Sequence, residues 1–188
     1  MLVHFIFVVK KEDFESRTWE FEYIVQMAQF YKHWIEKTFS KKVEVQADQM
    51  PVKPSFLFNR IDMHSLLSDH RARGEDIYHF YLTYFRPLWT DCTCEGYHAE
   101  NFGMAWWQQP KTKDDISFLA EKNCTTVSHE ISHELLRQAD NKNYIELVHD
   151  IWTKHNFASL PFEYYDKDFT KTTASVTFAT LDASEFRL

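Results

Sequence analysis

The first fifty residues combine a strand pattern, a helix pattern and a second strand pattern. Residues 2–9 form a continuous run rich in β-branched and aromatic side chains, which is typical of a central, buried strand. From Thr18 to about Phe39, large apolar side chains recur at helical spacing, namely Trp19, Tyr23, Met27, Phe30 and Trp34. Residues 43–47 then alternate apolar and polar side chains, which predicts another strand. Together these patterns predict a β–α–β unit, in which a right-handed crossover joins two parallel strands.

The middle of the chain is predicted to add a short helix and a third central strand. Residues 51–54 begin and end with proline and are predicted to break the chain. A short helix is expected near residues 65–73, and Gly74 ends it. Residues 77–85 are strongly β-prone and predict the strand.

The second half of the chain is predicted to be mostly helical. Residues 90–101 are polar and are predicted to form a loop, whereas residues 102–108 predict another short strand. A long helix is expected over residues 116–138 and a last helix over residues 144–155. Residues 174–180 are expected to form a strand or an extended surface segment. This order of elements predicts an α/β (α+β) fold, with a twisted mixed sheet in a single domain that spans the chain.

Composition and charge narrow the class of protein. The chain has 44% hydrophobic and 17% aromatic residues but only 3 glycines, which argues against a disordered or low-complexity chain. Its formal net charge of -7 disfavours a general nucleic-acid binder. No apolar run is long enough to span a membrane. Three cysteines without a recognisable secretion signal indicate free thiols in a reducing compartment, so we expect a soluble, cytoplasmic protein.

The candidate chemistry lies in the predicted helix 116–138. His129, Glu130 and His133 form the pattern His-Glu-x-x-His. Residues four apart on a helix share one face, so both imidazoles can bind one Zn²⁺ ion. Glu130 lies about 100° around the helix from His129. From there its carboxylate can take a proton from a water molecule that the metal has made more acidic. The motif therefore predicts His129 and His133 as metal ligands and Glu130 as the catalytic base.

The distribution of side chains around this helix supports the same interpretation. His129 and His133 fall on one face, where a cleft would lie. The opposite face is apolar and is expected to pack on the sheet; it comprises Ala120, Cys124, Val127, Ile131 and Leu135.

These features resemble those of the zincin-type metallopeptidases. The likeness covers residues 2–138 in the order of elements but only residues 129–133 in specific motif. It implies a zincin-like domain that hydrolyses peptide bonds, with zinc as the cofactor and a peptide or protein as the substrate. It also implies that the strand 102–108 lies at the edge of the sheet and aligns an extended substrate by β-augmentation. The cleft would then be lined by Met104, Ala105 and Trp106.

The motif does not identify the third metal ligand. A metzincin would have Gly and His at the positions that Leu136 and Ala139 occupy. The chain is therefore closer to a gluzincin-like arrangement, in which a following helix supplies the third ligand. His149 is the favoured ligand, because it borders the apolar face of the predicted helix 144–155. The alternatives are His155, Glu146, Asp150 and Asp140.

Other functions are also compatible with the sequence. One is metal-dependent hydrolysis of another bond, for instance by a nuclease, which the acidic charge disfavours. Another is a non-catalytic metal-binding or structural/interaction protein that retains a zincin fold, for instance with a protein partner in an assembly. Two weaker candidate sites are a structural zinc site at Cys92, Cys94, His98 and Cys124, and oxyanion donors at Tyr164 and Tyr165.

Overall fold

The computed structural model describes residues 1–14, 16, 18–54, 60–85, 96–106 and 116–155. Five strands and four helices are found in these ranges. In chain order they are β1 (Leu2–Lys10), α1 (Thr18–Phe39), β2 (Glu44–Val52), α2 (Met63–Arg73), β3 (Tyr78–Thr83), β4 (Gly96–Ala99), β5 (Phe102–Trp106), α3 (Ile116–Gln138) and α4 (Tyr144–His155).

The strands form one mixed sheet in the order β2-β1-β3-β5-β4. The first four strands of this order are parallel, and β4 pairs with β5 in the antiparallel sense. The predicted β–α–β unit at the start of the chain is confirmed, because β1 and β2 pair in parallel, with Leu2 opposite Glu44 and Lys10 opposite Val52. The predicted α/β class and the mixed sheet are therefore confirmed.

The main core fills the space between one face of the sheet and the helices α1, α3 and α4. Phe5 of β1, Phe80 of β3 and Ile131 of α3 are each fully buried in it. Trp34 belongs to the predicted apolar stripe of α1 and is 2% exposed, as expected. Other residues of α1 that enter this core are Ile24, Ala28, Tyr31, Ile35 and Phe39. This core places the predicted active helix α3 directly against the sheet.

A second, smaller core lies on the other face of the sheet, beneath α2. The helix begins after Asp62, whose side chain accepts a hydrogen bond from the backbone N–H of His64, and it ends at Gly74 with φ 110°. Its buried residues are Met63, Leu66 and His70. They pack on strand residues that include Ile6, Val8, Tyr81, Phe102 and Met104.

Two sequence-based predictions about the strands are wrong. The chain does not break at Pro51, because β2 continues to Val52. Among the described strands β2 lies at the edge of the sheet, and such a position tolerates a proline that lacks an N–H donor. The segment 90–101 was expected to be a loop, but it contains the strand β4. That strand has only four residues, including a glycine and a histidine, so it lacks the apolar alternation that predicts strands.

The prediction that residues 102–108 form the edge strand is also wrong. β5 lies between β3 and β4, and β4 is the last strand on this side of the sheet among the described residues. Met104 and Ala105 are 2% and 0% exposed, so they belong to the core and do not line a cleft. Trp106 is partly buried, and its indole N–H donates to the carbonyl of Tyr84 at 2.9 Å.

Two buried histidines meet on the face that α2 covers. His70 and His79 are 6% and 0% exposed, and their Nδ1 atoms are 2.6 Å apart. One nitrogen must therefore carry a proton that the other accepts. Burial and the nearby His70, His4 and Arg73 lower the pKa of His79 from 6.5 to about 4. Nothing in the sequence spacing of these histidines had indicated that they meet.

We expect the free energy of unfolding to fall as the pH is lowered from 7 to 5, partly because of His79. Below pH 6.5 the unfolded chain takes up a proton at this residue, whereas the folded protein does not until the pH approaches 4. The neutral histidine therefore accounts for a loss of about 2 kcal/mol between pH 7 and pH 5. Urea unfolding of the wild type and of His79→Phe at both pH values measures this share. If the free energy of unfolding fell equally in the two proteins between pH 7 and pH 5, the prediction would be contradicted.

No helix among the described residues is long and apolar enough to cross a lipid bilayer. The predicted segment 174–180 lies outside the described residues. The prediction that one domain spans the whole chain stays a prediction.

Candidate metal centre

Helix α3 carries His129 and His133 on successive turns. The predicted bounds of this helix are confirmed, and it contains neither proline nor glycine. Val127, Ile131 and Leu135 are at most 1% exposed, which confirms the described part of its predicted apolar face. The Nε2 atoms of His129 and His133 are 3.0 Å apart. Two nitrogen ligands of one tetrahedral zinc ion lie about 3.3 Å apart, so little adjustment would be needed.

A tight reversal after α3 brings α4 back over these two histidines. The backbone N–H groups of Ala139 and Asn141 donate to the last carbonyls of α3, at Leu135 and Leu136. Asp140 takes up a left-handed conformation with φ 59°, which ends the helix. The side chain of Asn141 accepts a hydrogen bond from the N–H of Asn143 just before α4 begins. The turn between the two helices is thus specified locally.

Helix α4 adds His149 to the pair. Its ring centroid lies 5.0 Å from that of His129 and 5.3 Å from that of His133. One nitrogen from each of the three rings falls within 4.8 Å of the other two. Three imidazole nitrogens at such distances can hold a single metal ion.

The alternative third ligands whose side chains the structure describes do not join this group. Glu146 and Asp150 are exposed on α4, and Asp140 is exposed in the turn before it. The side chain of His155 lies outside the part of the chain that the structure describes. Among the described candidates, His149 alone converges with His129 and His133.

Glu130 follows His129 on α3, and its side chain is buried against β4. It is 8% exposed, and burial raises the pKa of its carboxyl group from 4.5 to about 8. Its carboxyl group packs directly on the backbone of Gly96. A Cβ atom at position 96 would lie 2.8 Å and 2.9 Å from the Cγ and Cδ atoms of Glu130, which is closer than real Cβ atoms approach. The absence of a side chain at Gly96 therefore makes room for Glu130.

We expect Gly96→Ala to lower the free energy of unfolding by about 1–3 kcal/mol, because the added methyl group overpacks the site of Glu130. Urea unfolding of a double-mutant cycle with Glu130→Ala tests the cause. The cost of Gly96→Ala should largely disappear once the carboxyl group is removed. The same cost in both backgrounds would show that the clash with Glu130 is not its origin.

The protonation states of the histidines suit metal binding. Burial and the charge of His149 lower the pKa of His129 from 6.5 to about 4. Burial, His129, His98 and His149 lower the pKa of His133 to about 3. Both rings are therefore neutral at pH 7, which is the form that binds metal ions. The buried Nδ1 atom of His133 makes no well-formed hydrogen bond within the described residues.

A buried carboxylate next to His133 was missed by the sequence analysis. Glu134 is 0% exposed and accepts a hydrogen bond from His98 of β4 at 2.9 Å. Arg137 donates to both of its carboxylate oxygens, at 2.7 Å and 3.0 Å, and Gln138 donates at 2.7 Å. These hydrogen bonds and the charge of Arg137 outweigh burial, so the pKa of Glu134 is lowered. His98 is 36 positions away in sequence, and no spacing pattern links the two.

The weaker candidate sites are not supported by a described contact. Cys92, Cys94, Tyr164 and Tyr165 lie outside the described residues, as does the side chain of Cys124. His98, which was a possible partner of these cysteines, instead bonds to Glu134.

In comparisons with known proteins, no protein-family model matches the chain and no curated protein sequence is significantly similar to it. The functional interpretation of the site therefore rests on the geometry of its residues.

Proposed function

We propose that this protein is a zincin-type zinc metallopeptidase with a gluzincin-like arrangement, in which the helix after the motif supplies the third ligand. The single observation that carries the proposal is the convergence of His129, His133 and His149 within 4.8 Å, with the buried Glu130 next to His129 on the same helix. Two ligands and the acidic residue come from one helix, and the third ligand comes from the next helix.

The chemistry of the donor set favours zinc. Three imidazole nitrogens match the nitrogen and sulfur ligands that zinc prefers, whereas magnesium and calcium prefer oxygen. Catalytic zinc sites commonly have three protein ligands and leave one position for water or substrate. His149 is exposed, so this side of the site is open to solvent.

Glu130 is suited to move a proton at this site. A bound zinc ion would polarise the scissile carbonyl group and make an attacking water molecule more acidic. In the metal-free protein the carboxyl group has a pKa of about 8, because burial disfavours its charged form. A nearby divalent cation favours the charged form and so counteracts burial. Glu130 would then be a carboxylate near neutral pH, able to accept a proton and later donate it to the leaving amine.

The substrate class is inferred from the strand beside the site. β4 is the last strand of the sheet in the described part of the chain, and its first residue contacts Glu130. An extended peptide can pair with the backbone of an edge strand by β-augmentation. This arrangement would bring a peptide bond of the substrate close to Glu130 and the histidines.

The proposal is tested by measuring zinc and cleavage on the wild-type protein. We expect one zinc per chain by elemental analysis after extensive dialysis against chelator-free buffer. An internally quenched peptide pool should be cleaved, a chelator should stop the cleavage, and added zinc should restore it. Bound zinc without cleavage under any of these conditions would favour the non-catalytic metal-binding alternative. Failure to bind zinc even after reconstitution would overturn both.

A further inference from the structure

Strand β4 runs alongside α3, and its inward-facing residues meet successive turns of the helix. Gly96 faces Glu130, and two residues later His98 faces Glu134, one helical turn further on. Two residues of a strand span about 6.6 Å, and four residues of a helix rise about 6 Å. The two spacings are close enough for strand and helix to remain in step over this distance.

A third contact, between α3 and the turn after β4, lies further along both elements. The guanidinium group of Arg137 lies 3.1 Å from Asn101 Oδ1 and 3.4 Å from Glu100 Oε1, in the turn that follows β4. Arg137 is also bonded to Glu134, so the second and third contacts share one hydrogen-bond network.

The network specifies one register of β4 over the helix. A shift of β4 by one residue would turn His98 to the other face of the sheet, because side chains alternate along a strand. The carboxylate of Glu134, which is 0% exposed, would then lose one of its three side-chain donors. Such a shift is unfavourable because a buried charge needs its hydrogen-bond partners.

We propose that Glu134 and His98 are positioning residues that hold edge strand β4 in one register over α3, and so determine where a peptide bound to β4 lies relative to Glu130. This inference rests on the proposed peptidase function. The pair does not belong to the converging group of metal ligands. It acts on the strand that would align the substrate.

A competing role for the pair is to support the ligand His133. The ring of His98 lies 5.7 Å from the ring of His133 and 6.0 Å from that of Tyr144. A residue that only supports His133 would affect zinc binding when it is changed, whereas a residue that holds the register of β4 would not. Zinc content therefore separates the two roles.

The test compares His98→Leu, which removes the donor to Glu134, with His98→Gln, which keeps an N–H donor. The matched control is Glu100→Gln, because the side chain of Glu100 is 78% exposed and contacts the same network from outside. The three measurements are zinc content, hydrogen exchange of residues 96–99 relative to residues 78–83, and kcat and KM on an internally quenched peptide pool.

In His98→Leu we expect zinc to be retained, exchange of residues 96–99 to be about tenfold faster and KM to be about tenfold higher, with little change in kcat. His98→Gln should restore part of each property, and Glu100→Gln should resemble the wild type. Unchanged exchange of residues 96–99 in His98→Leu, or loss of zinc in step with faster exchange, would overturn the proposal. A wild type without peptidase activity would overturn the proposed function instead, and the exchange data would still show whether His98 holds β4 in place.

Discussion

Replacing Glu130 with glutamine is expected to slow peptide cleavage by about 10²- to 10⁴-fold while zinc remains bound. Glutamine has nearly the same shape as glutamate, so it fits the space beneath Gly96. Glutamine cannot accept a proton as a carboxylate does, so cleavage should slow. Residue 130 is not one of the three converging nitrogen ligands, so zinc should remain bound. The measurement is kcat/KM on the internally quenched peptide pool, with zinc content determined on the same samples.

The stability of the metal-free variant provides a control against misfolding. The folded protein keeps the Glu130 carboxyl group protonated up to about pH 8, whereas the unfolded chain loses this proton near pH 4.5. The free energy of unfolding therefore falls as the pH rises between these values. Glutamine carries no charge, so metal-free Glu130→Gln should be at least as stable as the metal-free wild type at pH 8. As a matched control, Asp150→Asn at an exposed carboxylate on α4 should leave both cleavage and zinc content unchanged. Wild-type cleavage by Glu130→Gln would exclude this residue as the base.

Replacing His149 with alanine is expected to weaken zinc binding strongly, because a direct ligand is lost. Loss of a residue that only orients a ligand costs about 10- to 100-fold in metal affinity, and the loss here should exceed that. The variant retains two of the three converging imidazoles, which is fewer ligands than a stable zinc site has. His149 is exposed, so its removal should change the free energy of unfolding of the metal-free protein by only about 0.5 kcal/mol. Competition with a chromogenic chelator measures the affinity.

Two histidine variants serve as controls for this measurement. His64 is exposed on α2, and His64→Ala should bind zinc as the wild type does. His155→Ala tests the alternative third ligand from the same helix. Loss of zinc in His155→Ala, with normal zinc binding in His149→Ala, would contradict the assignment of His149.

The helices were well predicted because their apolar periodicity is set by neighbouring residues. The bounds of α1, α3 and α4 agree with the sequence-based prediction, and α2 starts two residues earlier than expected. The central strands β1 and β3 were also predicted, since strands buried on both faces are continuous apolar runs. β4 was missed because its inward side carries Gly96 and His98 instead of apolar residues. Their partners are carboxyl groups on α3, which no local pattern reveals.

The candidate site was partly predictable for the same physical reason. His129, Glu130 and His133 lie within one and a half turns of a single helix, so their proximity follows from helix geometry. His149 was favoured over four alternatives, but helix periodicity alone could not choose among them. The choice depends on the turn at Asp140 and on how α4 packs over α3.

By itself, the sequence determined the fold class, the order of most elements and the motif on α3, because each of these is encoded by residues close together along the chain. Only the tertiary structure decided which strand ends the sheet, that Gly96 accommodates the carboxyl group of Glu130, and that His98 meets Glu134. These contacts join residues more than thirty positions apart. They depend on how whole elements pack and on where a buried charge can find its hydrogen-bond partners, and neither is written in the local pattern of hydrophobic and polar residues.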